Sequence, residues 1–124
     1  MRVTLSQSSG VPLYEQIVEQ VLRAILAGEL RPGEPLPSLR ALAADLRVSL
    51  ITTTRAYAEL AAAGWIVSVP GKGAFVADVK PDNARADVLE RARAAIAGAV
   101  DLARGSGAAS LADLWGLLEE EWNR

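Results

Sequence analysis

The stretch that decides the fold is Ser38–Val76, SLRALAADLRVSLITTTRAYAELAAAGWIVSVPGKGAFV. Ser38 has the side chain of a helix N-cap. Behind it Leu39, Leu42, Ala43 and Leu46 recur at spacings of three and four, which places them on one helix face. This predicts a short helix over 39–46. Arg47-Val48 makes a turn, Ser49 caps again, and a further helix is expected to reach about Ala63, with Thr53, Ala56, Tyr57 and Leu60 on its core face. Gly64 closes that helix. Two short runs rich in β-branched residues, Ile66–Val69 and Ala74–Val76, then flank the turn Pro70-Gly71-Lys72-Gly73, the pattern of a β-hairpin that Trp65 anchors to the helices.

On the N-terminal side of this stretch, after a polar leader, Pro12 opens a helical pattern running to about Ala27. Proline suits a first helical position, where its missing N–H would be unpaired anyway. Leu13, Ile17, Val21 and Ala24 form the stripe, widened by Tyr14, Val18, Leu22 and Ile25, and Gly28 is placed to end the helix in a left-handed cap. Residues 29–37 hold three prolines and a glycine and read as a tight connector.

On the C-terminal side the composition changes near Lys80-Pro81-Asp82-Asn83. An alanine-rich helix to Arg104 is expected, striped by Val88, Leu89, Ala92, Ile96, Ala99, Val100 and Ala103. Gly105-Ser106-Gly107 reads as a break. Ser110 with Asp113 approximates a capping box, and Leu111, Leu114, Trp115, Leu118 and Trp122 follow at helical spacing. Two amphipathic helices alone cannot bury both stripes, so they need the first domain or another copy of the chain. The fold class is mainly α with a small β-hairpin, divided into a domain over 11–78 and a two-helix arm over 80–124.

Composition narrows the chemistry. The 124 residues include no Cys and no His, which removes thiolate nucleophiles, Cys-based zinc sites and the commonest general base and metal ligand. Gly71-Lys72-Gly73 lacks the following helix and the spacing of a phosphate loop. Glu119-Glu120-Glu121 reads as a solvated helix face rather than a metal site, because consecutive helical residues diverge. Tyr57 reads as a core residue with its hydroxyl satisfied. Trp115 and Trp122, seven apart, read as packing residues. No enzyme activity, no cofactor and no metal are expected. No apolar run approaches the roughly 20 residues that span a bilayer, and no signal-peptide core is present, so a cytoplasmic protein is the expectation.

The net charge of −2 speaks against a nucleic-acid partner only if charge is evenly spread. It is not. Residues 31–72 hold five basic against three acidic side chains, whereas the segment from Lys80 onward holds six basic against eight acidic. Three short helices followed by a hairpin make a winged helix-turn-helix layout, in which the third helix is free to enter a DNA major groove. Ala43 supplies the small side chain that lets the second and third helices approach.

The motifs as a set, Pro12–Ile17, Gly28–Gly33, Leu36–Ala43 and Pro70–Val76, resemble the GntR family of bacterial transcription regulators over residues 11–77. The two-helix arm resembles that of the YtrA subfamily, in which it serves dimerisation. The resemblance implies a role for Arg40 against the DNA backbone or a guanine. It aligns Ser49, Thr52 and Arg55 with the recognition-helix pattern Ser-Arg-x-Thr-x-Arg-Arg, and it puts Gly71, Lys72 and Gly73 at the wing tip in the minor groove. Ser38, which caps the helix that carries Arg40, and Leu50, Ile51 and Thr54 on the third helix complete the expected DNA contacts. Two positions depart from the family: Leu50 stands where arginine is usual and Thr54 where a second basic residue is common. Arginine is the usual bidentate reader of guanine, so losing both is expected to lower affinity or change the preferred sequence, and the operator does not carry over from relatives; Leu50 and Ile51 can instead press on thymine methyls.

The expected function is therefore a sequence-specific repressor, binding double-stranded DNA as a homodimer on an inverted repeat. The arm's interface is expected from Leu89, Ile96, Val100, Leu111, Leu114, Trp115, Leu118 and Trp122. A small-molecule effector, if the chain has one, is expected between the arm's helices or at their junction with the winged domain. The rival reading is a winged-helix protein-interaction module with little or no DNA binding, using Leu50 and Ile51 as an apolar contact.

Overall fold

The computed structural model describes residues 2–79 and 81–124, in two compact units divided at the 80/81 junction. Met1 and Lys80, where the leader and the arm were expected to begin, lie outside the described residues.

In the first unit, α1 covers Leu13–Leu26, α2 Leu39–Leu46 and α3 Leu50–Ala62. Pro12 is the N-cap of α1, with φ −52° and ψ 143°, rather than its first helical residue. Its extended ψ lets the leader run away from the helix while its carbonyl accepts from the Gln16 N–H at 3.2 Å. The caps of α2 and α3 are the expected ones. The Ala41 N–H donates to Ser38 Oγ at 3.1 Å and the Thr52 N–H to Ser49 Oγ at 3.1 Å, each satisfying a donor that the first helical turn leaves open. Between the two helices Arg47 turns the chain at φ 57°, the only non-glycine residue with positive φ among those described.

The core of this unit is where the sequence stripes meet. Ile17, Val18, Val21 and Leu22 of α1 pack with Ala56, Tyr57 and Leu60 of α3, and Leu42 and Ala43 of α2 close the third side. Thr53 is fully buried, and its hydroxyl donates to the Leu39 carbonyl at 3.1 Å, tying α3 to the start of α2.

Strands β1 (Ile66–Val69) and β2 (Gly73–Val76) pair antiparallel with Ile66 opposite Val76, so the turn closes one residue earlier than expected and Gly73 belongs to the strand. Trp65 is 1% exposed at the foot of the hairpin, its backbone N–H bonded to the Leu60 carbonyl at 2.9 Å. The connector after α1 does more than link. Leu36 N–H donates to the Ala74 carbonyl and Val76 N–H to the Glu34 carbonyl, both at 2.9 Å, so the connector forms a third edge beside β2. The leader is also ordered. Gln16 is buried, accepting from the Ser6 N–H and donating to the Ser6 and Val11 carbonyls at 2.8 Å each. One turn on, Gln20 repeats this exchange with both backbone groups of Thr4. Two side-chain amides thus pair with the leader's backbone as a neighbouring strand would.

In the second unit α4 covers Pro81–Ser106 and α5 Leu111–Asn123. The helix expected to end at Arg104 runs two residues further, through Gly105 and Ser106, and the chain turns at Gly107, the last residue of the expected break, which has φ 66°. A single glycine costs a helix about 1 kcal/mol, too little to stop a long alanine-rich one. The capping box is present: the Asp113 N–H donates to Ser110 Oγ at 3.2 Å, and the Ser110 N–H donates to Asp113 Oδ2 at 2.8 Å. The Ser110 N–H first, then the Ser110 hydroxyl donating to the same Oδ2 at 3.0 Å, hold the Asp113 carboxyl below its ordinary pKa. The α5 stripe has almost no cover: Trp115 is 60% and Trp122 85% exposed.

Candidate nucleic-acid interface

One face of α3 is consumed by the core, and the opposite face stands free. Leu50, Ile51, Thr54 and Arg55 are exposed on it, Ile51 by 80%. The hydroxyls near its start have assigned local partners, and these decide what each can offer. Ser49 Oγ accepts the Thr52 N–H and shares a 2.9 Å bond with Thr52 Oγ1, which leaves one hydroxyl proton of the pair for an outside acceptor such as a phosphate. Thr54 Oγ1 donates to the Leu50 carbonyl at 2.7 Å. Its proton is committed, so it offers an outside group only lone pairs. It suits a base amino group and not a phosphate.

Arg55 is held across the top of the bundle. Its guanidinium lies 3.9 Å above the centre of the Tyr14 ring, Nη2 donates to Tyr14 Oη at 3.1 Å, and Nε sits 3.8 Å from Glu59 Oε1. Tyr14 Oη in turn donates to Glu15 Oε1 at 3.1 Å. Partial burial first, then that bond, raises the Tyr14 pKa, against the lowering effect of Arg55. Sequence reading had Tyr14 only as a flank of the core stripe. Arg55 is 41 residues away, and nothing in the spacing links the two.

The other expected contacts gather at the wing. Ser38, Arg40, Gly71 and Gly73 line one cleft of about 450 Å³ between the start of α2 and the hairpin, with Tyr57 at its floor. Lys72 is exposed at the tip, and its N–H closes the turn on the Val69 carbonyl at 2.9 Å. Gly71 (φ 76°) and Gly73 (φ 108°) occupy left-handed backbone that a side chain would strain, so the tip stays narrow. The residues at the start of α3 do not line this cleft. Tyr57 is no site residue: its hydroxyl donates to the Pro37 carbonyl at 2.7 Å, and burial pushes its pKa up to about 12.

A free, capped helix beside a glycine-tipped hairpin is the architecture of a winged helix-turn-helix. The profile of the bacterial regulatory proteins of the gntR family matches residues 13–76, every element from α1 to β2. The chain belongs to the GntR family.

Among GntR-family relatives, the HTH-type transcriptional regulator TauR of Rhodobacter capsulatus is 42% identical over 64% of this chain and 16% of its own length. The HTH-type transcriptional repressor YtrA of Bacillus subtilis is 33% identical over 71% of this chain and 65% of its own length. The chain spans less than two thirds of either relative. Of the solved GntR structures, YtrA from Sulfolobus acidocaldarius is 28% identical with a TM-score of 0.60, and the likeness covers 98% of this chain and 97% of that one. It therefore extends through α4 and α5, and this is a YtrA-like GntR protein. The AraR DNA-binding domain, solved in complex with operator ORE1, is 30% identical with a TM-score of 0.53 over 62% of this chain and 94% of that one.

In the second unit, six of the eight residues expected at a dimer interface (Ile96, Val100, Leu111, Leu114, Trp115 and Leu118) line one almost wholly apolar cleft of about 360 Å³ between α4 and α5. Leu89 lies on a separate groove of α4, and Trp122 is outside both. Leu117, which the sequence stripe omitted, joins the cleft. No helix among the described residues is long and apolar enough to cross a membrane.

Proposed function

We propose that this chain is a DNA-binding transcriptional repressor that acts as a homodimer on an inverted-repeat operator. The observation that carries this is α3, whose inner face is fixed by Thr53, Ala56, Tyr57 and Leu60 while Leu50, Ile51, Thr54 and Arg55 face solvent next to a narrow wing. A helix held in this way can enter a major groove without rearrangement. The AraR complexes with operator DNA support the same use of the domain here. Arg40 and Lys72 supply charge to the backbone, Ser49 with Thr52 a hydroxyl proton, and Leu50 and Ile51 apolar contact with thymine methyls.

The second copy covers the arm. An exposed apolar run containing Leu111, Trp115, Leu118 and Trp122 is too extended for a small ligand and has the chemistry of an obligate subunit interface. That use leaves the cleft between α4 and α5 to the partner rather than to an effector.

Fluorescence anisotropy with labelled duplexes selected from genomic fragments, across a salt series, tests the reading. Affinity that falls steeply with salt is expected. Arg40→Ala should weaken binding while leaving the thermal melt unchanged. Absence of binding even at low salt would overturn the regulator reading in favour of a protein-interaction module.

A further inference from the structure

We propose that Tyr14, on α1 and outside the reading helix, positions Arg55 for DNA by clamping its guanidinium before DNA arrives. The proposal rests on the DNA-binding reading above. Arg55 is the one basic residue of α3, since Leu50 and Thr54 occupy the other positions where a cation would serve. Its side chain is 59% exposed, and a free arginine at such a site would sample many rotamers and lose that freedom on binding. Here it does not sample freely. The Tyr14 ring supports the guanidinium plane from one side at 3.9 Å, Tyr14 Oη accepts from Nη2 at 3.1 Å, and Glu59 faces Nε at 3.8 Å. Tyr14 is itself fixed, half-buried in the first turn of α1 with its hydroxyl proton directed at Glu15.

The clamp has consequences for recognition. Tyr14 takes one Nη2 proton, which leaves the other Nη2 proton and those of Nη1 as the end-on pair that makes parallel bonds to a phosphate or to guanine. Because Tyr14 belongs to α1, the direction of that edge is set by the packing of α1 against α3 as well as by α3 itself. Glu59 is too distant for a close hydrogen bond to Nε, so an incoming anion meets a weak competitor. The geometry therefore assigns Tyr14 as a positioning residue for the arginine.

The test uses the full chain and a fluorescein-labelled mixed-sequence duplex at low salt, with Tyr14→Leu, Tyr14→Phe, Arg55→Ala and the Tyr14→Leu/Arg55→Ala double variant. Tyr14→Leu should weaken binding roughly three- to tenfold, the equivalent of freeing one long side chain. It should leave the salt slope unchanged, because the charge is still present. Tyr14→Phe should recover most of the loss by keeping the ring. Arg55→Ala should weaken binding and lower the salt slope by about one phosphate contact. In the Arg55→Ala background, Tyr14→Leu should have no further effect. Nuclear relaxation of Arg55 Nε in the free protein should show a restrained side chain that becomes mobile in Tyr14→Leu, a reading independent of DNA and of any small change in melting temperature.

Tighter binding by Tyr14→Leu would mean that the ring stows the arginine away from DNA, and would overturn the proposal. So would an equal loss in both backgrounds, which would make Tyr14 a DNA contact in its own right. A wild-type chain that binds, beside a Tyr14→Leu variant of equal affinity, overturns the clamp alone. A wild-type chain that binds no duplex overturns the functional reading with it.

Discussion

Arg47 carries a cost that its neighbours do not. At φ 57° a residue with a Cβ crowds its own carbonyl, a penalty of roughly 1–2 kcal/mol that glycine escapes. Arg47→Gly should therefore raise the unfolding free energy by about 0.5–1 kcal/mol net, after the extra freedom glycine has in the unfolded chain, and raise the urea midpoint with it. A lowered midpoint would show that the arginine side chain repays its strain in packing. Tyr57 is strained by pH rather than by backbone. Its pKa is about 12 when folded against about 10 when unfolded, so the unfolded chain releases this proton first as pH rises. The stability linked to Tyr57 is fully present below pH 10 and is lost between there and pH 12, amounting to roughly 2–3 kcal/mol. Thermal melts at stepped alkaline pH should show this decline, and Tyr57→Phe should flatten it while lowering stability at neutral pH through the lost bond to Pro37.

Elements with local signals were legible, and those held by distant backbone were not. The bounds of α2 and α3 followed from Ser38, Ser49 and the three-and-four spacing behind each, because a cap acts on the next turn of the same chain. The pairing of Glu34 and Leu36 with β2 had no such signal, since main-chain bonds between segments about 40 residues apart leave no mark on side-chain periodicity. The amide pairing of Gln16 and Gln20 with the leader was hidden for the same reason, and so was the Tyr14–Arg55 stack. In the second unit α4 outruns the expected Arg104 by two residues because, of the two glycines in the break, the left-handed turn belongs to Gly107 and not to Gly105. Caps can be tested where they act. Ser49→Ala should cost about 1 kcal/mol and loosen the first turn of α3. At α5 the depressed Asp113 carboxyl makes the cap pH-dependent: its contribution is present above the ordinary carboxylate pKa and is lost as pH falls through the lowered folded value. Protection of the first-turn amides of α5, taken against the intrinsic exchange rate at each pH, should therefore fall in acid, and Asp113→Asn should show no such step.

At the scale of the whole molecule, the two units have different sources of stability. The first has a filled interior, and nothing about it calls for a second chain. The second has two helices whose apolar residues are largely open, so its folding is expected to be coupled to association. Its melting temperature should rise with protein concentration while that of the first unit stays constant, a contrast that differential scanning calorimetry would resolve. Trp115→Ala and Leu118→Ala should each shift sedimentation toward the monomer, and an unchanged dimer would refute this interface. The uneven burial of the three indoles has a spectroscopic consequence. Trp65 is buried within the first unit and should emit in the blue in either state, whereas Trp115 and Trp122, open to water in a single chain, should emit in the red from the monomer and shift to the blue when a second copy covers them. Intrinsic fluorescence thus carries two separable signals in one unlabelled chain. Dilution should move the emission of Trp115 and Trp122 to the red, denaturant should move that of all three, and binding at α3 should leave the arm's emission still. The chain supplies its own optical record of whether it is assembled and whether it is folded.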